Sequence, residues 1–171
     1  MTISELILKE LETLGIPYDL VSHPPARTME DCALSEHLLG GVMPKNLFLR
    51  PRRQEDFYLC ITRPDAVYKA SVVSKQAGAS RLGFASEEEL FSILHAIPGA
   101  ANPLALIFDE AKDVTLLMDK SLMGEQRLIF HPCDNERSLA LSAADFFEKF
   151  LPAAGHSVTW VSLSDEGAAS E

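Results

Sequence analysis

Two strand-like runs separated by a polar gap constrain this chain more than any other feature. Lys45-Asn46-Leu47-Phe48-Leu49-Arg50 has high β propensity around Phe48. Phe57-Tyr58-Leu59-Cys60-Ile61-Thr62 returns after the polar stretch from Pro51 to Asp56, so the pair reads as a β-hairpin. Helical patterns flank it on both sides. An order that mixes hairpins with helices predicts a mixed or antiparallel sheet, not a doubly wound one.

The first helix starts at Thr2-Ile3-Ser4-Glu5, a capping box in which Glu5 follows Thr2 by three residues. Ile3, Leu6, Ile7, Leu11 and Leu14 recur at helical spacing, and Gly15 with Pro17 ends the run. Tyr18 to Val21 is a short strand and His23-Pro24-Pro25 a rigid turn. Thr28 caps a second helix that runs through Leu38. After the hairpin, Pro64 to Gly78 reads as a helix, with Val67, Ala70 and Val73 on one stripe. Arg81 to Ala85 is a strand, and Ser86 with Glu89 forms the capping box of a helix reaching His95. Leu104 to Phe108 and Val114 to Met118 read as a second hairpin around Asp109 to Asp113. Leu128 to His131 and Leu139 to Leu141 are strands, and Ser142 caps a last helix that packs Phe146, Phe150 and Leu151. A final strand falls between His156 and Leu163. The expectation is one α/β domain over residues 1–163, with a mixed, mostly antiparallel, barrel-like sheet and surrounding helices. Residues 164–171 are small, polar and acidic, and read as a disordered tail.

The formal net charge of −10 argues against non-specific nucleic-acid binding. Its distribution is uneven. Between Pro44 and Arg81 the basic residues Lys45, Arg50, Arg52, Arg53, Arg63, Lys69, Lys75 and Arg81 outnumber Glu55, Asp56 and Asp65. A basic middle in an acidic chain can attract a polyanion locally, although most of these charges read as solvated surface. Cys32, Cys60 and Cys133 are far apart and form no CxxC pair, so neither a zinc site nor a disulfide framework is indicated. The N-terminus lacks a signal peptide's basic start and apolar core, and no apolar run is long enough for a bilayer. A cytoplasmic location is the expectation.

The sequence carries no GxSxG elbow, Walker A loop, dinucleotide fingerprint or HExxH. The candidates for chemistry are scattered. Lys45 opens a strand, where a lysine can meet a phosphate or carbonyl oxygen as a point charge, and Asn46 beside it offers a donor and an acceptor. His131 ends an apolar strand before Pro132, with His23 equally ambiguous between a structural and a functional role. His37, His95 and His156 read as surface positions. Cys133 lies two residues from His131, which raises a Cys–His nucleophile as one alternative. The loop Ile97-Pro98-Gly99-Ala100-Ala101-Asn102-Pro103 is stiffened by two prolines and leaves amides uncovered at glycine and alanine. Such a loop suits an anion or a developing oxyanion, and taken alone it also reads as an ordinary helix-to-strand connection.

These stretches together resemble a known family. The runs Lys45 to Arg50, Arg81 to Ser86, Pro98 to Pro103 and Phe130-His131-Pro132, followed by Asp145-Phe146 and Phe150-Leu151, are similar in order and spacing to the YbaK-like aminoacyl-tRNA editing superfamily. His23-Pro24-Pro25 with Thr28 looks like its early turn. Within it the chain looks most like the free-standing, prolyl-tRNA-synthetase-associated editing proteins that deacylate alanyl-tRNA(Pro). The resemblance implies hydrolysis of the ester joining a mischarged amino acid to the terminal adenosine of tRNA, without metal or other cofactor. It implies that Lys45, Gly99 and His131 are catalytic, with Lys45 on the terminal nucleotide, backbone of the Gly99 to Pro103 loop on the aminoacyl end and His131 lining the same pocket. Asn46, Ala100, Ala101 and Pro103 are then substrate-binding, and a small apolar cavity for alanine is assigned to Leu20, Val21 and Cys32. Mischarged tRNA is the implied partner, with prolyl-tRNA synthetase or another translation factor beside it. The chain departs from the family pattern at Pro44, at Leu104-Ala105-Leu106 and from Cys133 to Ser138. A binding module of the same fold that has lost hydrolysis is the alternative reading.

Overall fold

A computed structural model of the chain describes residues 1–25 and 29–163, without the side chains of Met29, Glu30, Asp31, Cys32 and Leu34. The expectations for Thr28 and for the tail 164–171 lie outside the described residues. Chain order runs α1 (Ile3–Thr13), β1 (Asp19–Ser22), α2 (Met29–Leu39), β2 (Lys45–Pro51), β3 (Tyr58–Thr62), α3 (Ala70–Ala77), β4 (Leu82–Phe84) and α4 (Glu87–Leu94). Then follow a 3₁₀ helix at Pro103–Ile107, β5 (Thr115–Asp119), β6 (Arg127–Phe130), β7 (Arg137–Ser142), α5 (Ala143–Asp145), a π-helical turn at Phe146–Phe150, α6 (Leu151–Ala154) and β8 (Val158–Val161).

The central hairpin forms as the sequence implies. β2 pairs antiparallel with β3, Phe48 opposite Leu59, and with β4 on its other side. β5 and β8 extend the sheet in parallel from β3, giving the order β4-β2-β3-β5-β8. A second, antiparallel sheet has the order β1-β7-β6. An isolated bridge between Val42 and Leu128 links the approach to β2 with β6. The sheet is therefore mixed and mostly antiparallel, but it is two sheets with a seam and not a closed barrel.

Strand alternation sorts the side chains. Phe48, Leu59, Ile61, Leu116 and Met118 join Leu128, Phe130, Leu139 and Leu141 of the other sheet in the main core, together with Ile7 and Leu11 of α1 and Leu90 and Leu94 of α4. Leu49, Cys60 and Leu117 face the opposite way, onto Val73 of α3. The capping boxes of α1 and α4 both form, with Glu5 N–H donating to Thr2 Oγ1 and Glu89 N–H to Ser86 Oγ, each at 3.1 Å.

Two expected elements differ. Leu104 to Phe108 is not a strand: Pro103–Ile107 is a buried 3₁₀ helix, so the second hairpin does not exist and β5 pairs with β3 and β8 instead. A short apolar run has no periodicity that separates a strand from a buried helix. The deciding signal was Asn102-Pro103, an N-cap followed by proline at the first helical position. Similarly, α3 begins only at Ala70, because Pro64 and Asp65 make a turn closed by Ala66 N–H donating to Arg63 O, and Val67 is exposed. His95 is not a plain surface residue either; it caps α4 and packs edge-on against Phe108.

Candidate active site

A cavity of about 470 Å³ opens where the start of β2 meets the α4 N-terminus, the loop after α4 and the end of β6. Lys45, Asn46, Gly99, Ala101 and His131, which are far apart in sequence, all line it. β4 pairs only with Leu49 to Pro51, so β2 is uncovered along this side from Lys45 to Leu47. Phe48 O accepts from Ala85 N–H at 2.9 Å, and backbone polar groups of an antiparallel strand alternate in direction. The Asn46 peptide groups therefore point to that same open edge.

Each polar residue is held differently. Lys45 Nζ donates to Ala66 O at 2.8 Å, which among the described residues leaves two ammonium protons for a ligand. Among the described residues no carboxylate pairs with it, whereas Arg50 pairs with Glu89 and Arg63 with Glu125. Arg50 and Arg63 are thus neutralised locally, and Lys45 is not. Asn46 Nδ2 donates to Pro44 O at 3.4 Å, while its buried Oδ1 has no protein partner. A buried acceptor without a donor is costly in a folded protein, which makes Asn46 a candidate for contact with a ligand.

The loop after α4 is a type II β-turn. Ala100 N–H donates to Ile97 O at 3.0 Å, Pro98 takes the first central position and Gly99 the second with φ +85°. Ala100 is fully buried and its N–H is spent in the turn, so the structure removes it from the residues facing the cavity. Pro103 is likewise buried, as the first residue of the 3₁₀ helix, and does not line the cavity. The amides of Gly99 and Ala101 remain the loop's donors. Asn102, which the sequence reading left without a role, fixes the loop from beneath. Its Oδ1 accepts from Leu104 N–H at 3.0 Å, and its Nδ2 donates to Ala100 O at 3.0 Å and to Cys133 Sγ at 3.4 Å.

His131 sits behind this edge in a buried polar cluster. Its Nδ1 lies 3.0 Å from Arg137 O and 3.3 Å from Ser138 Oγ. A carbonyl only accepts, so Nδ1 carries the proton and Nε2 is unprotonated. Burial holds its pKa below the usual 6.5, against the opposing hydrogen bond to Arg137 O, so the ring is neutral at pH 7. Ser138 Oγ also contacts His23 Nε2 at 2.8 Å and Ser35 Oγ at 3.1 Å. His23, Ser35 and Ser138 are thus supports of His131 that sequence spacing does not reveal, since the end of β1, α2 and β7 bring them together only in the fold.

The Cys–His nucleophile is overturned. Cys133 adopts φ +67°, which turns its thiol into the core, where it donates to Leu94 O at 3.4 Å. Burial pushes its pKa up to about 12. Leu20 and Val21 lie on β1 opposite Leu139 and Ser138, and neither lines the cavity; Leu20 is 39% exposed. The side chain of Cys32 lies outside the described residues. The apolar lining comes instead from Met43, Phe48, Phe84, Leu90 and Phe130. Among the described residues no group of three or more His, Cys, Asp or Glu side chains is placed to hold a metal ion, and no helix is long and apolar enough to cross a membrane.

Comparison with known proteins bears on this geometry. A family model described as an aminoacyl-tRNA editing domain matches residues 23–149. The prolyl-tRNA editing protein ProX of Acetoanaerobium sticklandii is 30% identical over 163 residues, covering 95% of this chain and 99% of that protein. The prolyl-tRNA synthetase associated domain-containing protein 1 of Mus musculus is 31% identical over 152 residues, covering 86% of this chain and 89% of its own. A crystal structure of a candidate trans-editing enzyme for prolyl tRNA synthetase superposes with a TM-score of 0.70 at 16% identity, covering 96% of this chain and 99% of that one, which establishes the shared fold.

Proposed function

We propose that this chain, which belongs to the aminoacyl-tRNA editing domain family, removes alanine from mischarged tRNA(Pro) by means of the cavity at the start of β2. The class of reaction is aminoacyl-tRNA deacylation: water adds to the ester carbonyl, the bond to the terminal ribose oxygen breaks, and that oxygen leaves with a proton. The observation that carries the residue assignment is the convergence of Lys45, Asn46, Gly99, Ala101 and His131 on one cavity.

Roles follow from the chemistry of each group. The Lys45 ammonium holds a phosphate or the ester oxygen of the terminal nucleotide. Asn46 Oδ1, lacking a protein donor, accepts from the α-ammonium of the amino acid, with the Glu87 carboxylate on the same cavity lining. The Gly99 and Ala101 amides face the oxygen that becomes negative in the tetrahedral intermediate. Neutral His131 orients water together with the vicinal ribose hydroxyl of the substrate, so no protein nucleophile is required. Met43, Phe48 and Phe130 form the wall that limits side-chain size. A hydrophobic pocket rejects an added methylene by only about 1–3 kcal/mol, so steric exclusion sets the preference for alanine. Residues 1–163 act as one editing unit in the cytoplasm, receiving tRNA(Pro) released from prolyl-tRNA synthetase.

Incubation with alanyl-, cysteinyl- and prolyl-tRNA(Pro) tests the reading. The expected result is release of alanine alone, abolished in Lys45→Ala and retained in Cys133→Ala. Absence of deacylation from all three would leave a binding module of the same fold.

A further inference from the structure

We propose that Phe84 is a stacking platform for the unpaired 3′-terminal base of the tRNA substrate, an assignment that rests on the editing reading above. Phe84 lines the cavity yet is 66% exposed. Its ring is nevertheless fixed. It packs against Tyr68 with ring centroids 5.7 Å apart at 58°, and Tyr68 is itself pinned by its hydroxyl donating to Leu82 O at 2.7 Å. The aromatic surface is thus braced by a neighbour and left open toward the cavity mouth.

Three observations select a nucleobase as its occupant. First, about 470 Å³ is the volume of a drug-sized ligand site and far exceeds what an alanyl group fills, so part of the attached nucleoside must enter with it. Second, Phe84 pairs with Leu49, which lies on the same face of β2 as Lys45 by strand alternation. A nucleotide with its base on Phe84 therefore runs its backbone toward the Lys45 ammonium, which has no carboxylate partner among the described residues. Third, every base has a π face, and single-stranded ends are held by aromatic stacking combined with a cation on the backbone. Phe91, also exposed at 61%, lies on α4 and does not line the cavity, so exposure alone does not define the platform.

The test compares Phe84→Ala, Phe84→Leu and Phe84→Tyr, with Phe91→Ala as a control. Phe84 is exposed on an edge strand, so these replacements leave the fold intact. Steady-state deacylation of alanyl-tRNA(Pro) should show KM raised on the order of 5- to 150-fold in the alanine and leucine variants, with kcat little changed. The tyrosine variant and the Phe91 control should match the wild type. An activity-independent readout uses Phe84→Trp combined with Trp160→Phe: indole fluorescence should be quenched by an acceptor-stem microhelix ending in adenosine and not by one whose terminal nucleotide is abasic. Wild-type KM in Phe84→Ala, or full function in Phe84→Leu, overturns the platform while leaving the editing reading standing. If the wild-type protein deacylates no mischarged tRNA, the editing reading fails on its own. The adenosine-dependent quench still decides the platform, and equal quenching by both microhelices refutes it.

Discussion

Asn102 offers the sharpest test of how the candidate loop is held. The side chain is fully buried and all its polar atoms are engaged. Replacing it with alanine removes the N-cap of the 3₁₀ helix and leaves Leu104 N–H without its acceptor and Ala100 O without its donor. A cap substitution alone costs about 0.5–2 kcal/mol. That figure covers Leu104 N–H; the second buried group left unsatisfied, Ala100 O, adds roughly 1–3 kcal/mol before relaxation or water entry lowers it. The thiol contact at 3.4 Å is weak and adds little. A total near 3 kcal/mol is expected, which is a large share of the 5–15 kcal/mol of an ordinary domain without exceeding it. Urea denaturation followed by Trp160 fluorescence should show the midpoint shifted with the m-value unchanged. Because the same side chain ties Ala100 to Leu104, deacylation should fall at least tenfold under conditions where Asn102→Ala is folded. Asn102→Ser, which keeps a capping oxygen, should recover part of both. A stability change below about 0.5 kcal/mol would contradict the burial argument. Full activity in a destabilised variant would show that the loop does not depend on this anchor.

Other consequences can be measured together. Gly99→Ala meets no steric neighbour, but its φ of +85° strains any side-chain residue; about 1 kcal/mol of stability should be lost, and Gly99→Val should lose more together with most of the activity. Ser138→Ala should leave the protein folded and lower kcat more than it raises KM, since it removes a contact to the ring of His131 and none to substrate; an unchanged kcat would assign the cluster to packing. The depressed pKa of His131 means that the unfolded chain takes up its proton first as pH falls. Stability from this group is therefore complete above the ordinary histidine value of 6.5 and is lost as pH falls through the lower folded value, and His131→Gln should flatten that part of the profile. Met43→Ala widens the apolar lining, so hydrolysis of an aminoacyl-tRNA with a larger side chain should rise relative to alanyl-tRNA, on the order of tenfold per methylene admitted.

What could be read from the sequence divides along physical lines. The central hairpin and the capped helices were legible because their signals are local: apolar, β-prone runs on either side of a polar gap, and Ser or Thr followed three residues later by Glu. Lys45, the Gly99 loop and His131 stood out by residue type, their catalytic roles came from the resemblance, and the fold does bring all three to one cavity. The apolar wall was not legible. Leu20 and Val21 look suited to it by composition, yet Met43, Phe84 and Leu90 line it, because strand pairing decides which side chains meet the loop. The same holds for Ser138, whose place beside His23 and His131 depends on the β1–β7 register.

The segment His131-Pro132-Cys133 shows how far sequence proximity can mislead about chemistry. Two reactive side chains separated by one residue suggest a shared site. Cys133 N–H, however, donates back to His131 O at 2.8 Å around Pro132, and the chain then reverses through the positive φ of Cys133. The turn sends the imidazole toward the cavity edge and the thiol toward Leu94 O and Asn102. There the sulfur touches the side chain that anchors the Gly99 turn. Cys133 is therefore placed as a buried packing neighbour of Asn102 and Leu94 and not as a nucleophile. Cys133→Ala should cost stability through a small cavity and a lost contact while leaving kcat near the wild-type value. Cys133→Ser puts a hydroxyl in the same place, where it can still accept from Asn102 Nδ2 and donate to Leu94 O, and should retain activity without becoming a better nucleophile. Loss of deacylation in both variants, with the loop and the fold intact, would return the thiol to the chemistry.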